Sequence, residues 1–190
     1  SRRSIFSKVF DRLDKAVVHG TTFGKNTLAM AAGLASLAVI QEENLIEKAT
    51  ENGRLLKQEF DAFVGKYEFV KEVRGLGMMI GIEFGPPKSF SLKTAWKLLE
   101  KANKGLFCQM ITIPLFKKHR ILSQVAGHAS YTIKLLPPLN ISREDIRWIV
   151  SAFDDVIARA HQFPGGVWDL AANLAGHALQ TKKEAAAPVL

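Results

Sequence analysis

The sequence predicts an α+β fold, an antiparallel-leaning sheet covered by helices. Three observations carry that prediction. Both ends of the chain show apolar residues at helical spacing; the middle is cut by glycine and proline into short β-rich runs; and no repeat or long linker divides the two patterns.

The elements follow in order. Over residues 4–13, Ile5, Val9 and Leu13 share a helical face with Phe6 and Phe10 beside it. Val17 and Val18 read as a short extended entry to a loop holding Gly20 and Gly24. A helix is expected from Thr27, with Leu28, Ala31, Ala32, Ala35 and Val39 in one stripe. Its other faces are apolar too, which predicts burial on most sides. Glu42, Glu43 and Asn44 end it, and a second helix follows with Leu45, Ala49, Leu56, Phe60 and Phe63 on one face.

The period then changes. Residues 69–74 predict a strand that Gly75 and Gly77 break, and residues 78–84 predict another before the Gly85-Pro86-Pro87 turn. Residues 92–103 form an amphipathic helix with Gly105 as its expected C-cap. Strands are expected near 106–115, 119–124 and 131–136, the last stopped by Pro137-Pro138. Ser142-x-x-Asp145 opens a helix whose Ile146, Ile149, Val150, Phe153, Val156 and Ile157 make a wide apolar face. After a break at 162–166, a last helix is expected over about 168–180, with the residues from Lys182 onward frayed.

Composition excludes several function classes. The formal net charge is +8, but beyond the first turns of chain the basic residues are dispersed among acids and no aromatics interleave with a basic run. That pattern argues against a nucleic-acid partner. The single cysteine, Cys108, sits among Leu106, Phe107 and Met110, so a buried thiol is expected and a disulfide within the chain is impossible. No segment reads as transmembrane, and the five histidines show no metal-ligand spacing. Ser1 and the residues after it carry no signal-peptide pattern; the chain begins as if cut from something longer, and the lone thiol suits a cytoplasmic setting.

Chemistry is concentrated in the loop His19-Gly20-Thr21-Thr22-Phe23-Gly24-Lys25-Asn26. Two adjacent hydroxyls lie between glycines, directly before a helix. Glycine lets backbone approach a ligand, and a helix N-terminus favours an anion. A phosphate clamp fits these parts, and so does a plain helix entry with Thr or Asn as N-cap.

This loop, continued through Thr27-Leu28 and a small-residue helix, resembles the signature of class III aminotransferases, the family of the ornithine, acetylornithine and putrescine enzymes. Thr27 stands where the family has proline. Two further segments agree in order: Val73-Arg74-Gly75-Leu76-Gly77-Met78-Met79 is similar to the family's Arg-Gly-x-Gly turn, and Lys134-Leu135-Leu136-Pro137-Pro138-Leu139 to its Arg/Lys-x-x-Pro-Pro-Leu segment.

The resemblance implies the fold-type I fold of enzymes dependent on pyridoxal 5'-phosphate (PLP), α/β overall in the intact enzyme. Residues 1–27 would be a remnant of the large PLP-binding domain. Residues 28–162 would be the linking helix and small α+β domain, and 163–190 a C-terminal helix and tail. It implies a homodimer in which the Thr22 hydroxyl, with Thr21 beside it, holds the cofactor phosphate of the neighbouring subunit. It implies that Lys134 contacts substrate, although many relatives carry Arg there, whose planar fork grips a carboxylate where Lys offers a point charge. No catalytic residue is carried over: the Schiff-base lysine, the acid facing the pyridine nitrogen and the stacking aromatic lie upstream of Ser1. The implied reaction moves an amino group between a small-molecule amino donor and an aldehyde or keto acceptor, and the fragment alone should not turn over.

Residues 113–128, the KLLPPL form at 134–139 and residues 164–179 look like hopanoid-biosynthesis aminotransferases, which act on a lipid. Diamine or ω-amino-acid aminotransferases, an aminomutase on the same fold and a non-enzymatic α+β interaction domain remain alternatives.

Overall fold

The computed structural model describes residues 2–15, 21–24, 26–127 and 130–185. The chain divides into two compact units, Ser1–Asn44 and Leu45–Leu190. The expected strand at Val17-Val18, and His19, Gly20 and Lys25 of the loop, lie outside the described residues.

In the first unit, helix α1 spans Arg3–Val9 and stops short of the expected Leu13, which opens a 3-10 turn over Leu13–Lys15. Helix α2 spans Thr27–Glu42, its start set by Asn26, whose side-chain oxygen accepts from the Ala29 N–H. The burial expected of α2 is not found: none of its residues is buried, and Leu28 is 81% and Leu34 69% exposed. Burial needs an opposing surface as well as an apolar side chain, and among the described residues none buries these side chains.

The second unit holds the core. Helix α3 (Leu45–Asp61) buries Gly53, Leu56 and Phe60, and the single turn α4 (Phe63–Lys66) adds Phe63. Each such large apolar side chain stabilises the fold by roughly 1.5–3 kcal/mol. Strands β1 (Val70–Leu76), β2 (Met79–Phe84), β3 (Gln124–Val125) and β4 (Thr132–Leu135) form one sheet in the order β1-β2-β4-β3, every pair antiparallel. Gly75 does not break β1; the strand runs to Leu76 and the reversal falls at Gly77, at φ 54°.

Alternation sorts the sheet. Ile80, Ile82, Phe84, Ile133 and Leu135 are buried on the face that joins the core, while Met79, Gly81, Glu83, Thr132 and Lys134 occupy the other face. The core side continues into α5 (Phe90–Ala102), where Trp96 is buried against Phe69, Phe107 and Tyr131.

Two expectations fail next. Residues 106–115 are not a strand but most of helix α6 (Leu106–His119), and of the second expected strand, 119–124, only Gln124 falls in a strand, β3 (Gln124–Val125). The run LFCQMITIPL holds only Gln109 and Thr112 as polar residues, too few for periodicity to separate a buried helix from a buried strand. Six of the helix's residues are buried. Gly105 is accordingly not the C-cap of α5, a place taken by Asn103; at φ 88° it is the N-cap of α6.

Helix α7 (Arg143–Ala160) begins with the expected capping box: the Asp145 N–H donates to Ser142 Oγ at 3.0 Å, and the Ser142 N–H donates to Asp145 Oδ2 at 3.0 Å. Helix α8 (Gly166–Ala185) starts earlier than expected and runs past Lys182; Trp168 and Ala171 anchor it in the core, with Trp168 Nε1 donating to the Ala160 carbonyl at 2.9 Å.

One ionic cluster escaped the sequence. Asp155 accepts from Lys118 at 2.8 Å and Arg159 at 3.0 Å and pairs with His119 Nε2 at 2.9 Å. Burial opposes its ionisation, yet Lys118, His119 and Arg159 outweigh burial and hold the carboxyl well below the usual carboxylate range. A carboxylate whose folded pKa is depressed adds stability above its unfolded pKa, about 3.9, and that stability is lost as pH falls further. Asp155→Asn is therefore expected to be less stable than the parent at pH 7 and to lose less on going from pH 7 to pH 2. Urea unfolding at both pH values checks it; an unchanged pH dependence would count against the cluster.

Candidate functional site

The paired-hydroxyl turn lies in the first unit. Thr21–Gly24 forms a tight turn closed by the Gly24 N–H donating to the Thr21 carbonyl at 3.2 Å. Gly24 packs closely on the turn: a Cβ at that position would stand 2.6 Å from Thr21 Oγ1 and would displace that hydroxyl. Asn26 ties the turn to α2 from both ends of its amide, donating to the Phe23 carbonyl at 2.7 Å and capping the Ala29 N–H at 2.8 Å.

That capping bond bears on the anion reading. It takes the Ala29 N–H, one of the free donors at the start of α2, so fewer backbone donors remain there for an anion. Thr21 and Thr22 are both exposed, with their hydroxyls on the chain's surface. Two adjacent hydroxyl donors on a turn that a side chain at Gly24 would fill are a donor set that fits a phosphate.

Lys134 lies in the second unit, on the sheet face away from the core. Its register partners are Gly81 on β2 and Gln124 on β3, and Gly81 pairs in turn with Arg74 on β1. The row therefore reads Arg74, Gly81, Lys134, Gln124. Arg74 is committed: its guanidinium bonds Glu83, Glu72 at 3.3 Å and Thr132 Oγ1 at 3.4 Å, and the Glu83 contact holds it above its ordinary pKa. Lys134 has no such partner among the described residues, and it borders an apolar groove of about 470 Å³ with Leu136, Pro138 and Trp148.

Sequence reasoning found Thr21, Thr22 and Lys134 by motif. It missed the groove beside Lys134, because Trp148 on α7 and Leu136 after β4 meet only in the folded chain. The capping signal that could have flagged Asn26 was present, a polar residue just before an apolar helix.

Other candidate groups are spent on structure. Cys108 is fully buried, and burial pushes its thiol up to about 12. It should resist a water-soluble disulfide reagent at pH 8 in the folded protein and react promptly once urea unfolds the chain; rapid reaction of the folded protein would contradict this burial. His161 accepts the Glu68 N–H at 3.1 Å on Nε2 and meets the Ile157 carbonyl at 2.9 Å on Nδ1, with its ring against those of Tyr67 and Phe69. No group of three or more metal-ligating side chains occurs among the described residues, and no described helix is long and apolar enough to cross a membrane.

Comparison with known proteins agrees with the motifs. Residues 4–157 match the family described as Aminotransferase class-III. The chain is 36% identical over 138 residues to an acetylornithine aminotransferase of Methanocaldococcus jannaschii, covering 73% of this chain and 29% of that protein. It is 34% identical over 154 residues to a [LysW]-aminoadipate semialdehyde transaminase of Deinococcus radiodurans, covering 81% of this chain and 30% of that protein. An amine transaminase from an uncultivated Pseudomonas species, solved in a PLP-bound form, superposes with a TM-score of 0.54 at 25% identity over 76% of this chain and 30% of its own. The chain thus spans about three tenths of the length of these proteins. With the match running from the first helix almost to the end of α7, and the small antiparallel sheet and its helices shared with such enzymes, the chain belongs to the class III aminotransferase family.

Proposed function

We propose that these 190 residues are the C-terminal part of a homodimeric, PLP-dependent aminotransferase. The observation that carries the reading is the Thr21–Gly24 turn, two exposed hydroxyls held by Gly24 and Asn26 at the start of α2. Family membership and a relative solved with PLP support it, and they favour an enzyme over a non-enzymatic interaction domain.

In this reading residues 1–27 close the large domain, 28–162 supply the linking helix and small domain, and 163–190 the last helix and tail. The Thr22 hydroxyl, with Thr21 beside it, holds the cofactor phosphate of the neighbouring subunit. An exposed α2 apolar all round is consistent with a surface that other parts of such an assembly cover. When bound, the cofactor supplies the electron sink of the reaction. The lysine that moves the proton belongs to a part of the enzyme beyond these residues, so the 190-residue chain is inactive alone.

Lys134 orients the substrate's polar end, and the groove beside it keeps water from the apolar body. A single ammonium beside apolar walls suits an amino donor and an aldehyde or keto acceptor of lipid character, of the hopanoid type. The reduced, buried Cys108 accords with a cytoplasmic enzyme.

The test is Thr22→Ala and Thr22→Ser in the full-length enzyme. Losing a hydrogen bond to a charged phosphate should weaken PLP binding about tenfold or more, while serine restores it. PLP affinity unchanged in the alanine variant would sink the assignment.

A further inference from the structure

The turn that closes helix α6 holds apolar and cationic side chains outward together. Arg120 ends the helix at φ 57°, a left-handed conformation uncommon for a residue with a Cβ. Two backbone bonds fix the turn: the Arg120 N–H donates to the Phe116 carbonyl at 3.1 Å, and the Ile121 N–H to the Leu115 carbonyl at 3.0 Å. Ile121 is buried, while Leu122 beside it is 85% exposed and Phe116, one turn back on α6, is 52% exposed. Phe116, Lys117 and Leu122 border one groove. Leu122 also borders a second groove with Leu136 and Trp148, themselves 60% and 47% exposed. Large apolar side chains gathered in water mark an interaction surface.

The free charges beside them have one sign. Lys117 and Arg120 are exposed, and neither has an acid partner among the described residues. Lys118 and His119, between them, are taken by Asp155. No Asp or Glu lines either groove. Along the chain the order is Phe116, Lys117, Arg120, Leu122, apolar groups interleaved with unpaired cations. The formal net charge of +8 adds long-range attraction to any anionic partner.

That combination selects among partners. A nucleic acid would meet the cations but offer little to Phe116 and Leu122. An apolar protein surface would leave Lys117 and Arg120 without a counter-charge. A bilayer containing acidic lipid has both layers, negative phosphate over hydrocarbon. No described helix can cross a membrane, so the attachment is peripheral.

We infer that this face docks on an anionic phospholipid bilayer, with Phe116 and Leu122 entering the headgroup–acyl boundary and Lys117 and Arg120 lying against the phosphates. The inference is independent of the cofactor reading, since neither Thr22 nor Lys134 takes part in it.

The test is co-sedimentation of the full-length enzyme with vesicles of phosphatidylcholine, alone or mixed with phosphatidylglycerol. Binding is expected on the mixed vesicles, weakening as salt is raised, and about tenfold or more weaker on phosphatidylcholine alone. Lys117→Gln combined with Arg120→Gln should weaken it about thirtyfold. Phe116→Ser combined with Leu122→Ser, at exposed positions, should weaken it about tenfold or more. Lys97→Gln combined with Lys101→Gln removes the same charge from exposed positions on α5 and should leave binding near that of the parent. Circular dichroism checks that each variant keeps its fold. Leu122→Trp adds a readout that does not depend on loss: its emission should shift to the blue on mixed vesicles and be quenched by brominated acyl chains.

No binding to mixed vesicles overturns the inference. So does an equal loss from the Lys97 and Lys101 pair, which would mean attraction by net charge alone. Binding that survives both the Phe116 and Leu122 pair and the Lys117 and Arg120 pair, or a Leu122→Trp emission that brominated lipid leaves unquenched, would place the contact elsewhere and overturn it too.

Discussion

Gly53→Ala is expected to destabilise the second unit by about 3 kcal/mol or more, at the upper end of what overpacking costs. The added Cβ would lie 2.1 Å from the Gly77 carbonyl oxygen and 2.3 Å from its carbon. Those atoms are backbone, so no rotamer change relieves the clash. Gly77 is also pinned at φ 54° by the tight reversal between β1 and β2. The helix must therefore move off the hairpin, and Leu56 and Phe60, on the same helix, lose their seats in the core. Gly176→Ala is the control: nothing lies within 4 Å of its added Cβ, and an alanine inside α8 should stabilise by about 0.5–1 kcal/mol. Urea unfolding of both variants checks the pair. Equal small effects would mean that α3 does not press on the hairpin.

Trp96→Ala should cost about 3–5 kcal/mol, the range for deleting a large buried aromatic. Trp96 is 1% exposed and meets Phe69, Phe107 and Tyr131 at ring-centroid distances of 5.9, 4.6 and 5.4 Å. Tyr131 stands just before β4 and bonds Glu100 on α5, so the tryptophan packs α5 and α6 against the strand that carries Lys134. Trp96→Phe should lose less, since a ring still fills much of the space. The near-ultraviolet circular dichroism of the alanine variant should collapse at low denaturant while its far-ultraviolet signal persists. A destabilisation below about 1 kcal/mol would mean that the cavity closes by relaxation, and that the cluster is looser than its distances imply.

Legibility in the sequence followed the strength of local signals. The α7 start was readable because a capping box is made by residues three apart, Ser142 and Asp145. The β1–β2 hairpin and β4 were readable because glycine and proline bound their runs. Helix α6 was not, because Leu106, Phe107, Cys108, Met110 and Ile111 are buried together and only Gln109 and Thr112 interrupt the apolar run, too few to reveal a period. Asp155 and its three basic partners were invisible for another reason: Lys118 and His119 come from α6 and Arg159 from α7, which meet only after folding.

Chemistry held in a few contiguous residues was the sequence's own to declare. The two hydroxyls of Thr21 and Thr22 beside Gly24, and the Lys134-to-Leu139 segment, marked the family before any coordinate, since a short motif carries its donors at fixed chain spacing. Which charges stay unpaired, and where apolar walls converge, belonged to the tertiary structure alone. Arg74 is neutralised by Glu83 across a hairpin, Lys134 is not, and Leu122 and Trp148 border one groove from distant parts of the chain. Coulombic pairing and burial act through space over a few ångströms, and chain order does not encode that distance.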